Sequence, residues 1–198
     1  MEEFNQSLFL LINAPAHPAA AVLVLARLFA QYLILLMPLT LLAGWLRGSE
    51  HTRKLMLEAA ACALLALLMA QIIGMLWPHP RPFMIGLGHQ LIPHVADPSF
   101  PSDHLTLMWS VGFSLLLHAQ TRAAGALLTL LGLPVAWARI YLGVHFPLDM
   151  VGAALVAALS AWLCLHYAGW VVEPVFPWMA ATYRRLFASL IRWGWVVE

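Results

Sequence analysis

The stretch AAACALLALLMAQIIGMLWPHP, residues 59–80, holds 22 residues without Asp, Glu, Lys or Arg, and Arg81-Pro82 follows it at once. A helix needs about 20 apolar residues to cross the hydrocarbon of a bilayer. This stretch therefore reads as a membrane span with a basic residue at its mouth. Outward from it the same pattern recurs at 28–46, 104–121, 123–138 and 150–172. The first of these runs extends back toward Pro18 because residues 19–26 are apolar, which places Arg27 about two turns inside the helix. An intramembrane arginine either pairs structurally or marks function.

Composition agrees with this reading. Hydrophobic residues make up 63% of the 198 and charged residues 10%, against about 25% charged in a soluble domain. Mean hydropathy is +0.83. The expected fold is all-α: a polytopic membrane helical bundle of five to six transmembrane helices, with short amphipathic helices at both termini. It forms a single domain over residues 1–198. Phe4 to Ala14, ahead of Pro15 and Pro18, reads as an interfacial helix too short to cross. Near the other end Met179, Tyr183, Leu186, Phe187, Leu190 and Trp193 recur at helical spacing opposite Arg185, Ser189 and Arg192. That pattern suits an interfacial helix or a tilted sixth span.

No basic n-region precedes the first apolar run, so a cleaved signal is not expected. A net charge of +1 without a basic block gives no sign of a nucleic-acid partner. Cys62 and Cys164 both lie in apolar runs and read as packing residues. Arg47, Arg53, Lys54, Arg122, Arg184, Arg185 and Arg192 gather on one side of the alternating spans, which the positive-inside rule makes cytoplasmic.

Three polar clusters then share the opposite side: Arg81-Pro82, Pro101-Ser102-Asp103-His104, and Arg139 with His145 and Asp149. The loop of about 25 residues between the second and third spans is long for a mere connection. Ser102 or Asp103 can cap the next helix, whose free N–H groups and dipole favour an anion. His145 and Asp149, four apart, share a face if the helix is continuous, and a carboxylate beside an imidazole fixes its tautomer. Two guanidinium forks, a hydroxyl and helix-terminal amides suit a tetrahedral oxyanion. Two histidines can divide nucleophilic and proton-transfer work. Clustered Cys/His or His-Glu-x-x-His spacing is missing, so no metal and no cofactor is expected.

These residues resemble the three signature motifs of the type 2 phosphatidic acid phosphatase superfamily of membrane lipid phosphatases. The wording Ser-Phe-Pro-Ser-Asp-His (99–104) and Ala-Arg-Ile-Tyr-Leu-Gly-Val-His-Phe-Pro-Leu-Asp (138–149) is similar to the bacitracin-resistance-type undecaprenyl pyrophosphate phosphatases, and length and the order of spans resemble that group over nearly the whole chain. The resemblance implies that His145 attacks phosphorus to form a phosphohistidine, oriented by Asp149. His104 would protonate the leaving group and then activate water. Arg81, Arg139 and Ser102, with amides near Asp103, would hold the phosphoryl oxygens.

Three positions depart from the superfamily pattern: Gly74 stands where a Lys is usual, Asp103 replaces a Gly, and Ala138 replaces a Ser. One cationic contact is missing, with His79 or Arg27 as candidate substitutes. An outward-facing site at the membrane suits a lipid partner whose tail stays in the bilayer. A polyprenyl diphosphate, hydrolysed to the monophosphate carrier and phosphate, is the expected substrate. Alternatives are a phosphatidylglycerol phosphate or phosphatidic acid phosphatase, a lipid phosphotransferase, or a transporter of the same architecture.

Overall fold

A computed structural model describes residues 2–197. The chain opens with α1 (Glu2–Ile12) and continues with α2 (Ala20–Tyr32), which passes through one turn of 3-10 helix at Leu33–Leu35 into α3 (Leu36–Arg47). Next come α4 (Glu50–Leu76), α5 (Asp103–Leu116), α6 (Arg122–Tyr141) and α7 (Pro147–Tyr167). The chain closes with α8 (Gly169–Leu186) and the short α9 (Ala188–Arg192). No strand occurs among the described residues, as expected of an all-α bundle.

Four segments are long and apolar enough to cross a membrane: Ala20–Arg47, α4, α6 and α7. The 27 residues of α4 reach about 40 Å at 1.5 Å each. Ser49 starts that helix, its Oγ accepting from Thr52 N at 3.3 Å and satisfying one orphan amide. Leu64, Leu68, Leu130 and Leu155 stand exposed on the bundle's outside, where hydrocarbon would meet them. Alternating passes bring the outer ends of α4, α5, α6 and α7 together.

The expected third crossing is shorter than its charge-free run. α5 has 14 residues, about 21 Å, and Leu117 to Thr121 form a turn. It packs against α4, α6 and α7, so its ends meet protein instead of lipid. Leu105, Met108, Val111 and Leu115 are buried along it. Glycines let α6 approach closely: a Cβ at Gly132 would collide with the Trp109 indole, and one at Gly125 with the backbone at Leu116. Trp109 Nε1 donates to Thr129 O across the same seam at 3.0 Å.

The far end of the bundle carries the basic residues. α8 follows α7 directly and is not among the long apolar segments. It lies against α4 and α3. Lys54 Nζ pairs with Glu173 at 3.1 Å. Arg53 donates to Trp45 O at 2.9 Å and stacks over the Tyr183 ring. Trp170, Trp178 and Leu186 remain exposed, the amphipathic surface expected of a helix lying in an interface.

Candidate active site

All three polar clusters meet at the end of the bundle opposite Arg47 and Lys54. Arg81 leaves α4 in extended backbone just before a 3-10 turn at Pro82–Ile85. Ser102 stands at the N-cap of α5, Arg139 in the last turn of α6, and Asp149 in the first turn of α7. The α6–α7 turn needs Gly143. Its φ is +81°, and the His89 carbonyl fills the place of a Cβ. That tight turn aims His145 back into the bundle, where it is 1% exposed.

His145 is held from both sides. Asp149 Oδ2 lies 3.1 Å from Nδ1. The same oxygen accepts from Phe146 N at 2.8 Å and from Ser99 Oγ at 2.5 Å. Arg81 Nη1 lies over the ring, 3.0 Å from Nε2 and 3.4 Å from Nδ1, and Arg139 Nη2 is 3.5 Å from Nε2. A carboxylate can only accept, so the Asp149 contact is to a protonated Nδ1 and Nε2 is the unprotonated nitrogen. Burial first, and then the Arg139 and Arg81 charges, hold the His145 pKa well below the ordinary 6.5. The imidazole is therefore neutral at neutral pH, with Nε2 beside two cations.

Both arginines are 3% exposed. Arg81 is fixed by Asp97 Oδ1 at 2.9 Å, by Val144 O at 2.9 Å and by Pro98 O at 3.1 Å. Arg139 Nη2 meets His94 Nε2 at 2.9 Å, while its Nε is buried with no partner. Burial, with the Val95 carbonyl opposing it and both arginines reinforcing it, holds the His94 pKa below 6.5.

Ser102 does not cap α5. Its hydroxyl is buried and unpartnered. The amides of Asp103 and His104 have no acceptor among the described residues. His104 makes no side-chain hydrogen bond among them either, and it lies within electrostatic reach of Arg139, His94 and Arg81. A buried hydroxyl left unspent is costly without a ligand, and an anion would satisfy it together with the free amides of the first turn of α5.

Of the seven residues singled out from the sequence, six gather here: His145, Asp149, His104, Arg81, Arg139 and Ser102. Asp103 contributes its backbone position only. Its carboxylate turns to α4 and accepts from Gln71 Nε2 at 3.2 Å. It lines a cavity of about 130 Å³ with Gln71, Gly74, Pro98 and Phe100, so space and not another cation occupies the side facing Gly74. The two proposed substitutes have partners of their own. Arg27 donates to Leu91 O at 3.0 Å; His79 Nε2 pairs with Glu2 at 3.2 Å, but its ring packs on Phe146 beside the site and its Nδ1 is buried without a partner among the described residues.

Sequence reasoning gave no role to Ser99 or His94. Ser99 sits inside the quoted Ser-Phe-Pro-Ser-Asp-His run, the one signal that could have found it. No group of three His, Cys, Asp or Glu among the described residues is arranged to hold a metal ion. The cationic walls suit an anion instead.

Comparison with known proteins follows the same residues. The PAP2 superfamily model matches residues 55–173, which span every site residue. YbjG of Escherichia coli (strain K12) is 37% identical over 99% of this chain and 98% of its own. Undecaprenyl-diphosphatase BcrC of Bacillus subtilis (strain 168) is 30% identical over 95% and 96%. The crystal structure of Aquifex aeolicus LpxE superposes with a TM-score of 0.65 at 27% identity, covering 83% of this chain and 96% of that one. With these motifs, this fold and this length of match, the chain belongs to the PAP2 superfamily.

Proposed function

We propose that this protein is an undecaprenyl-diphosphate phosphatase of the bacterial cytoplasmic membrane, a single lipid-phosphatase domain with its active site facing the periplasm or outside. One observation carries the chemistry: a neutral, buried His145 whose Nδ1 is bound by Asp149 and whose Nε2 faces Arg81 and Arg139. The relative named undecaprenyl-diphosphatase, matched almost end to end, supports the substrate.

His145 Nε2 attacks the terminal phosphorus. The bridging P–O bond breaks and undecaprenyl phosphate departs as an anion, protonated by His104 once the charge of the bound diphosphate has drawn a proton onto that imidazole. Arg81 and Arg139 turn their donors from Nε2 to the phosphoryl oxygens, joined by Ser102 Oγ and the first amides of α5. Water, deprotonated by His104, then attacks the phosphohistidine. Inorganic phosphate leaves and His145 is restored. Guanidinium groups, not a metal, carry the charge of the transferring group.

The exposed leucines around the bundle and the basic residues at its far end support a multi-pass orientation with the site outward. The released monophosphate carrier would return to cell-wall polymer synthesis, and added enzyme would confer bacitracin resistance. A panel of phosphatidic acid, phosphatidylglycerol phosphate and polyprenyl diphosphates, with phosphate release followed on purified protein, tests the reading. It expects at least tenfold higher kcat/KM on the polyprenyl diphosphate, and a preference for a glycerophospholipid would overturn it.

A further inference from the structure

α1 lies along the segment that carries the nucleophile. Its inward stripe is Asn5 and Phe9, continued one residue past its end by Asn13, whose amide still bonds Phe9 O at 2.7 Å. Each meets a different part of residues 139–149. Asn5 Oδ1 accepts from Leu148 N at 3.0 Å. Phe9 packs edge-on against Phe146 with ring centroids 5.4 Å apart. Asn13 Nδ2 donates to Tyr141 O at 3.1 Å, and Ala14 N donates to the same carbonyl at 3.0 Å. Asn13 also binds the long loop, with Nδ2 to His89 O at 3.0 Å and Oδ1 accepting from His89 N at 2.7 Å.

The opposite face of α1 is apolar and open: Phe4, Leu10 and Leu11 are 61%, 53% and 81% exposed. An interfacial helix has no need of a buried asparagine, yet Asn5 is 3% exposed. Leu148 supplies the reason. Its amide is in the first turn of α7 and has no acceptor within its own helix. Asn5 supplies that acceptor from another element, one residue from Asp149. Without it the first turn of α7, which carries Asp149, loses a bond.

We propose that Asn5 and Asn13 are positioning residues: α1 is a membrane-seated splint that holds the Arg139–Asp149 segment so that His145 is aimed at phosphorus. This rests on the reading of His145 as the nucleophile. It assigns α1 to catalytic geometry more than to phosphate binding, since Arg81 is anchored by Asp97, Val144 and Pro98.

The test compares wild type with Asn5→Ala, Asn13→Ala and Asn5→Asp, which keeps an acceptor oxygen at the α7 N-terminus. Rapid quench with polyprenyl diphosphate labelled on the terminal phosphate gives the rate and amplitude of phosphoenzyme formation, and steady-state assays give kcat and KM. The splint predicts that N5A slows phosphoenzyme formation and kcat 10- to 100-fold, with burst amplitude retained and KM within threefold. N5D should recover to within about threefold of wild type. A reduced amplitude at wild-type rate, or N5D as slow as N5A, overturns it. If N5A does not fold, N13A is read by the same criteria. If wild type forms no phosphoenzyme, the nucleophile reading fails, and the kcat–KM split with N5D rescue still decides the splint.

Discussion

Arg81 Nη1 lies 3.0 Å from His145 Nε2 and 3.4 Å from Nδ1, so the guanidinium that would bind phosphate covers the imidazole that would attack it. Arg81→Lys keeps the charge but loses the fork that also holds Asp97, Val144 and Pro98. A drop of about 10²- to 10³-fold in kcat is expected, the scale for removing one oxyanion donor. The assay is phosphate release in detergent micelles, and activity within threefold of wild type would count against Arg81 as a phosphate clamp.

Asp149 Oδ2 gathers three donors, from His145, Ser99 and Phe146. Asp149→Asn would offer an amide that disturbs the Nδ1–H tautomer, and a loss of about 10⁴ in kcat follows by analogy with the triad aspartate. Ser99→Ala removes one neutral donor, worth about 1 kcal/mol, so a loss of roughly five- to tenfold is expected. If both variants lost the same activity, the carboxylate would not be the dominant orienting group.

The His145 pKa lies below the ordinary 6.5, and so does that of His94. Between the folded and unfolded pKa values the unfolded chain binds more protons than the folded one. Stability therefore rises with pH through this window and falls as pH drops below about 6.5. Tm measured from pH 5 to 8 should increase, and His94→Gln should flatten the slope. The same shift leaves nucleophilic Nε2 unprotonated through neutral pH, so the acidic limb of kcat/KM should fall below 6.5. A limb centred above 7 would contradict the burial argument.

His104 carries no hydrogen bond among the described residues and is free to meet a leaving group. Undecaprenyl phosphate is a better leaving group than an alkoxide. His104→Ala should therefore cost about tenfold more on phosphatidic acid than on the polyprenyl diphosphate. Parallel kcat/KM measurements on both lipids decide this, and equal losses would remove the leaving-group role.

The helices were legible wherever charge was absent, and misjudged where charge was locally satisfied or where a turn held none. Leu117, His118 and Gln120 carry no Asp, Glu, Lys or Arg, so a turn read as part of the third span. α4 begins at Glu50 instead of 59 because Lys54 pairs with Glu173 and Glu58 with His118 at 2.8 Å. The site was legible because polar residues interrupt apolar runs. Ser99 was not: its partner Asp149 is 50 positions away, and only folding joins them. Ser102 and Asp103 suggested a cap by residue type, yet neither caps, and the unspent Ser102 hydroxyl is the more telling feature.

Trapping the intermediate addresses the central claim most directly. Wild-type protein quenched with terminally labelled undecaprenyl diphosphate should yield a labelled adduct that survives alkali, is lost in acid, and maps to His145. Both the adduct and turnover should vanish in His145→Ala. A labelled adduct that persists in H145A, or one stable to acid, would contradict the account.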